Sequence, residues 1–442
     1  MDWVESAAAR DGNHPAIVAG GRATTYAELH AEADRAARRL AARDVGEGAR
    51  VATTLPAGPE LAALLFGAAR VGAALVPLDT RLAEAGRRRQ LGAAAASVVV
   101  DEPLDGPEED YTRPRADPDR VLTVIFTSGT TGEPRPVELT AANHLASARA
   151  ARAALGTGPD DRWLSPLPVF HIGGLAVIVR CAIAGATALL HRRFDPEAVA
   201  AELAGGHASL ASLVPTMLAR LRDAGLRSAP GLRAILLGGG PVPDRLLEWA
   251  RERGIPARPS YGMTETCSQV AIAEPWGRAA RPGEGVELRI GEEGEILVRG
   301  PMVAAAAVGP DGWLHTGDGG RIDERGLLHV EGRLKELIVS GGENVAPAEV
   351  ERALLSHPAV EDAGVAGVPD PEWGEAIVAF VVLADGASED ELIAHCRERL
   401  APYKVPKRVE PVAALPRNAA GKLLRSELGA SRRTPWNRVP AP

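Results

Sequence analysis

The chain has 442 residues, enough for several domain-sized units and a large core. Apolar residues make up 45% and charged residues 24%, the balance of an ordinary globular protein, which excludes a disordered or fibrous chain. Lys plus Arg total 50 against 58 Asp plus Glu, a net charge of −8, so no global pull toward nucleic acid or anionic membranes is expected.

Residues 24 to 44 predict a helix capped by Thr24 or Thr25, with Leu29, Ala33, Ala36, Ala37 and Leu40 at helical spacing. GARVATTL (48 to 55) predicts a short buried strand, 58 to 72 a helix, and GAALVPLD (72 to 79) another strand. Alternation of this kind implies βαβ units and a largely parallel sheet. VLTVIFTSG, ASLVPT and AILLGGGPVP repeat the signal, each an apolar strand running into a turn. Ligands sit at the carboxyl ends of strands in open α/β sheets, where these turns fall.

From about residue 284 the texture changes. VELRIGEEGEILVRG alternates like antiparallel strands around a Gly-Glu-Glu-Gly turn, and RIDERGLLHVEGR repeats that pattern around Arg325-Gly326. A further unit begins near 333, with helices at Ala346 to Leu355 and Ser388 to Leu400 and strands at Ala363 to Val368 and Ala376 to Leu383. The tail, SRRTPWNRVPAP, lacks periodicity.

Cys181, Cys267 and Cys396 are too few and too far apart for a disulfide framework or a cysteine zinc site, and fit a reducing cytoplasm. The start, MDWVESAAARDGNHP, lacks the basic n-region and apolar h-region of a signal peptide. The longest apolar run, Cys181 to Leu190, is too short to span a bilayer and predicts a buried strand or helix segment.

In TSGTTGEPRPVELT (127 to 140), hydroxyl residues and glycines fill positions 127 to 132 directly after an apolar strand. Such a loop can turn successive N–H groups and hydroxyls onto one phosphate. It is not a Walker loop, because no Gly-Lys-Ser/Thr follows. With YGMTETCSQ (261 to 269), GWLHTGDGGRIDERGLLHVEGR (312 to 333), LKELIVSGGENVAPAEVE (334 to 351) and LPRNAAGKLLR (415 to 425), the chain resembles the adenylate-forming superfamily, the acyl-CoA synthetases and their relatives. The five motifs keep their order over nearly the whole chain.

The resemblance implies an α/β fold. A large N-terminal domain (1–332) would hold mixed, mainly parallel sheets packed with helices, plus a β-rich subdomain. A hinge (333–336), a small mobile α+β lid (337–430) and a tail (431–442) would follow. It implies ATP, Mg²⁺ and coenzyme A, a small carboxylic acid as substrate, no nucleic acid and no membrane insertion, with a homodimer left open.

The resemblance also assigns residues. Thr127, Ser128, Gly129, Thr130, Thr131 and Gly132 would cradle phosphate, and Gly239 would belong to the nucleotide turn. Tyr261 and Gly262 would lie near adenine, Thr264 at the α-phosphate and Glu265 on magnesium, a cation suited to one carboxylate plus phosphates. Asp318 would take the ribose hydroxyls beside Arg333. Lys335 would be the pivot, and Gly341, Gly342 and Glu343 would line the pantetheine tunnel. Lys422 would bridge the substrate carboxylate and the α-phosphate, where charge builds up. His171, in LPVFHIGGL, would stand between the acyl site and the tunnel, and Phe170-His171 where amino-acid-activating relatives carry Asp disfavours an amino-acid substrate.

Taken alone, these residues suit blander roles: a capped turn for Thr264-Glu265, a surface turn for Asp318, a solvated charge for Lys422 and a structural role for His171. Cys267-Ser268-Gln269 after the Glu, LLGGGPVP (236 to 243) and the short chain resemble a branch of acid–CoA ligases whose acid has two carboxylates. Ser212, Thr216 and Arg220 are the candidates for holding the unreacted one. Another aryl- or acyl-CoA ligase of the same fold is the nearest alternative, with luciferase-like oxygenation and catalytically silent binding the rival activities on this scaffold. One departure stands out: Pro134-Arg135-Pro136 replaces the family's Pro-Lys-Gly, which removes an N–H and fixes φ.

Overall fold

The computed structural model describes residues 2–128, 134–384, 386–417 and 423–428. Gly129, Thr130, Thr131, Gly132, Lys422 and the tail lie outside the described residues. Contacts divide the chain into two compact units. The first is Met1–Gly238 with Ala250–Leu288 and Val298–His315; the second is Gly239–Trp249 with Arg289–Leu297 and Thr316–Pro442.

The first unit is α/β, as its alternation predicts. One of its sheets runs in the order Arg22–Thr25, Pro15–Ala19, Thr187–Leu190, Arg162–Ser165, Leu210–Leu213, Ala234–Leu237, Ala257–Met263, Ser268–Ala273 and Ala280–Pro282. The strands from Pro15–Ala19 through Ala257–Met263 pair in parallel, and antiparallel partners flank them. Leu210–Leu213 and Ala234–Leu237 are buried at every position, the continuous apolar texture of strands covered on both faces. A second sheet orders Val98–Val100, Arg50–Thr53, Ala74–Pro77, Val121–Ser128 and Pro134–Thr140, the last antiparallel.

The helix Tyr26–Ala41 starts where its sequence says it should. Thr25 accepts from the Glu28 N–H while the Glu28 carboxylate accepts from the Thr25 N–H, a reciprocal cap. Its Ala33, Ala36 and Ala37 pack on the helix Pro59–Val71, and a Cβ on Gly67 would come within 2.7 Å of Ala36 Cβ. The run Cys181 to Leu190 is both things it might be: it ends the helix Ile172–Ala184, turns at Gly185 (φ +75°) and continues as Thr187–Leu190. The hairpin Pro15–Ala19/Arg22–Thr25 is not legible in the sequence, because two glycines at its tip are its only strong signal. Among the described residues no helix is long and apolar enough to cross a membrane.

The second unit is α+β. Leu314–Ile322 pairs with Leu328–Arg333 around a turn in which Asp323 accepts from the N–H groups of Arg325 and Leu327 and Gly326 takes φ +73°. A separate sheet orders Glu343–Val345, Ile338–Ser340, Gly374–Leu383 and Val360–Asp370, with Arg408–Pro411 parallel beside Gly374–Leu383. The helices Pro347–Leu355 and Glu389–Arg397 close a core of Val345, Val350, Leu354, Val360, Val365, Ile377, Val381 and Leu392.

Candidate active site

In the first unit, the segment Ala257–Met263 and the turn Thr264–Thr266 carry Tyr261, Gly262, Thr264 and Glu265. Gly262 sits at a register shift, and a Cβ there would stand 2.1 Å from the Ser268 carbonyl oxygen, so only glycine fits. The Thr266 hydroxyl accepts from the Met263 N–H (2.9 Å) and has one proton to give to the carbonyls of Ser268 (2.7 Å) and Met263 (3.0 Å), both within its reach. Cys267 (φ +49°) and Ser268 (φ +93°) follow in positive-φ conformations, each costing about 1–3 kcal/mol in a residue other than glycine. Thr264 and Glu265 therefore sit on a strained turn that its surroundings must hold.

Its surroundings do hold it. Ser147, on the helix Ala141–Leu155, donates to the Cys267 carbonyl at 2.7 Å. His144, one turn earlier, places Nδ1 3.5 Å from Cys267 Sγ and Nε2 2.8 Å from the Thr123 hydroxyl. Burial pushes His144 down to about 3 and the Cys267 thiol up to about 12, so both are neutral at physiological pH. The Glu265 carboxylate is half-buried and has no side-chain partner among the described residues. A lone hard oxygen donor of this kind fits magnesium, which completes its octahedron from phosphates and water.

His171 precedes the helix Ile172–Ala184 at the carboxyl end of Arg162–Ser165. Its Nε2 lies 3.1 Å from Arg81 Nη2, and Phe170 packs edge-on at 4.8 Å. A guanidinium has only protons to give, so Nε2 is an acceptor and the ring is neutral. Burial, helped by Arg81, keeps its pKa below the usual histidine value.

The same helix, otherwise apolar, carries one cation that sequence reasoning overlooked. Arg180 is 4% exposed, and no carboxylate lies within ion-pair distance of it among the described residues. Nη2 donates to Ser147 Oγ at 2.8 Å, the guanidinium carbon lies 5.7 Å from the Trp163 ring, and Nε has no partner. Arg180 also lines a cavity of about 180 Å³ with Leu145, Ala148, Trp163 and Ile183. Burial brings its pKa down to about 10, which leaves it charged at neutral pH. The signal in the sequence is an arginine inside IGGLAVIVRCAIA. By contrast Ser212 accepts from the Trp163 indole at 2.9 Å, Thr216 is half-buried, and Arg220 lies exposed over Phe194.

In the second unit Asp318 and Arg333 are register partners, and Arg333 Nη1 donates to the Thr316 carbonyl at 3.0 Å. Gly317 (φ +68°) bends the strand so that the Asp318 N–H meets the Thr316 hydroxyl at 3.1 Å. Lys335 is exposed in the turn Leu334–Glu336. Gly341 (φ +62°) and Gly342 (φ +84°) form the two-residue tip of the hairpin Ile338–Ser340/Glu343–Val345, a turn that needs positive φ at both positions. Gly239 (φ +81°) lies two residues past Ala234–Leu237. The structure thus groups Tyr261, Gly262, Thr264, Glu265, His171 and the backbone of Thr127 and Ser128 in the first unit. It groups Gly239, Asp318, Arg333, Lys335, Gly341 and Gly342 in the second.

Two largely parallel sheets, one with a strand that leads into the Ser/Thr/Gly-rich sequence and the other with a strand that runs into the Thr264–Glu265 turn, together with an α+β unit, suit a nucleotide-dependent enzyme class, and the comparisons give that class a name. The family model "AMP-binding enzyme" matches residues 4–111 and 101–306, and "AMP-binding enzyme C-terminal domain" matches 349–422. The chain belongs to the AMP-binding enzyme family. It is 37% identical to the 2-succinylbenzoate–CoA ligase of Bacillus subtilis, over 98% of each chain, and 40% identical to that of Geobacillus kaustophilus, over 97% of each. It also resembles the solved Bacillus subtilis o-succinylbenzoate CoA synthetase in complex with its acyl-adenylate intermediate, with TM-score 0.89, 37% identity and 97% of each chain covered.

Proposed function

We propose that this protein is an acid–thiol ligase that joins 2-succinylbenzoate to coenzyme A in menaquinone biosynthesis. A carboxylate oxygen of the acid attacks the α-phosphorus of ATP and pyrophosphate leaves. The CoA sulfur then attacks the acyl carbonyl of the adenylate and AMP leaves. The full-length likeness to ligases of that name supports the reaction.

The observation that carries the substrate is Arg180. A guanidinium buried with no carboxylate partner is a standing receptor for an anion. An acid that keeps one carboxylate free while the other reacts supplies that anion. Ser147 and Trp163 orient the guanidinium for it, and a planar fork suits a carboxylate.

The remaining roles are those the family resemblance implies, and the chemistry suits them. Positions 127–132 cradle phosphate, Thr264 meets the α-phosphate, and Asp318 accepts from the ribose hydroxyls with Arg333 holding it in place. Glu265 would hold magnesium, which would offset phosphate charge facing the incoming carboxylate. Lys422 donates to the α-phosphate and the attacking carboxylate as charge builds there. Neutral His171 offers no charge to compete with either acyl or thiol. Lys335 is the pivot between half-reactions, and Gly341 and Gly342 give the pantetheine arm close backbone approach. Three buried free thiols support a cytoplasmic site of action.

The test is a panel of acids assayed for AMP and pyrophosphate with and without CoA, run on the wild type and on Arg180→Gln. Turnover of 2-succinylbenzoate, at least tenfold weaker use of an analogue lacking its second carboxylate, and loss of that preference in Arg180→Gln are expected. Equal use of both acids by the wild type would overturn the substrate assignment.

A further inference from the structure

His144 carries no role assigned above and Ser147 only that of orienting Arg180, yet both touch the strained turn from one side at i and i+3 of one helix. His144 reaches in two directions. Nδ1 faces Cys267, two residues past Glu265, and Nε2 meets Thr123 on Val121–Ser128, the strand that feeds the phosphate loop. Ser147 donates to the Cys267 carbonyl and accepts from Arg180. All five residues are buried, and all lie in the first unit. One neutral imidazole can donate from one nitrogen and accept at the other, so it satisfies Thr123 and Cys267 together.

Positive-φ backbone at Cys267 and Ser268 persists only where its neighbours over-determine it. We infer that His144 and Ser147 are positioning residues that clamp the Thr264–Glu265 turn against the phosphate-loop strand, and that Ser147 also couples this clamp to the acid-binding guanidinium of Arg180. The inference rests on the adenylation reading above. The clamp touches neither substrate. It sets the spacing between magnesium ligand and phosphate cradle, and through Ser147 it joins the nucleotide half of the site to the acid half.

The experiment uses the full chain and four variants. Thr123→Val keeps the shape and removes the hydroxyl. His144→Gln keeps an amide within reach of Thr123 and loses the Cys267 contact, and His144→Asn does the reverse. Ser147→Ala breaks both of its bonds. Steady-state pyrophosphate release is measured against MgATP and against acid, with thioester formation from pre-made adenylate as a second assay and thermal denaturation as a third. Thr123→Val and both His144 variants are expected to raise KM for MgATP about fivefold or more, leaving KM for the acid and the thioester step within twofold. Ser147→Ala is expected to raise both KM values. Variants that melt earlier but keep wild-type KM values would reduce His144 and Ser147 to core packing and overturn the inference. A wild type that releases no pyrophosphate with any acid would instead overturn the adenylation reading.

Discussion

Asp318 and Arg333 face each other across an antiparallel ladder, with Arg333 Nε 2.8 Å from Asp318 Oδ1. The Asp318 side chain is only 10% exposed, whereas that of Arg333 is 41% exposed. The pairing sets the carboxylate in one orientation before any ligand arrives, which lowers the ordering cost of binding. Asp318→Ala should weaken ATP about tenfold or more, roughly 1.4 kcal/mol, by titration calorimetry. Arg333→Lys should fall between, because lysine keeps the charge but cannot reach Asp318 and the Thr316 carbonyl together. Unchanged ATP affinity in Asp318→Ala would remove its ribose role.

Gly262→Ala is the smallest change with a large expected effect. The new methyl would stand 2.1 Å from the Ser268 carbonyl oxygen, which is backbone and cannot swing aside. Overpacking of this kind costs about 1–3 kcal/mol or more. Urea denaturation should show that loss, and adenylate formation should fall further than the loss of folded protein explains.

Lys422→Ala should separate the two half-reactions. Removing one donor aimed at transition-state charge costs about 10²–10³ in rate. Pyrophosphate release should fall by that factor, while thioester formation from pre-made adenylate should survive. Parallel loss of both steps would place the lysine elsewhere.

Arg425, three residues beyond Lys422, ties its segment to the rest of the second unit. Nε donates to Glu336 at 2.7 Å, Nη1 to the Val365 carbonyl at 3.0 Å, and Nη2 to Glu351 at 3.0 Å. Glu351 is 5% exposed, so Arg425→Ala would strand a buried carboxylate, a loss of about 3–5 kcal/mol. Glu336→Gln leaves the Glu351 pair intact and should cost under about 1 kcal/mol. Yet Glu336 adjoins Lys335 in the chain, so this milder variant should still slow adenylation. Thermal melts beside half-reaction rates would check both.

Stability should fall on mild acidification. His144 is held near 3 in the fold against about 6.5 when unfolded, so the unfolded chain binds the extra proton between those values. Stability from this group is therefore complete above about pH 6.5 and is lost as pH falls toward 3, with a slope of about 1.4 kcal/mol per pH unit. His171, also depressed, adds in the same direction. Urea unfolding free energies should be level from pH 7.5 to about 6.5 and fall with this slope from there to 4.5, and His144→Gln should flatten the fall. An identical slope in the variant would assign the proton uptake to other groups.

The parts legible in sequence are those whose signal is local. Thr25 at the start of its helix and the Thr264-Glu265 turn each carry their cause within a few residues. What was not legible depends on distant partners. Arg180 matters because of what surrounds it: Ser147, 33 positions away, and no carboxylate partner among the described residues. His144 reads as an ordinary helical residue until Thr123 and Cys267, 21 and 123 positions away, are brought to its two nitrogens. Gly262 is a flexible residue in the sequence and a forced one in the fold, since the Ser268 carbonyl claims the space.

Pro134 and Pro136 occupy the outermost strand of the five-stranded sheet, Pro134–Thr140, opposite Ser128 and Phe126. A free sheet margin normally invites a stranger's backbone to add itself. With two amide donors missing and Arg135 exposed beside them, this margin makes a poor template. Pro136, which stands where the family carries glycine, thus adds a second missing donor that helps keep neighbouring molecules in a crowded cell from zipping onto this rim.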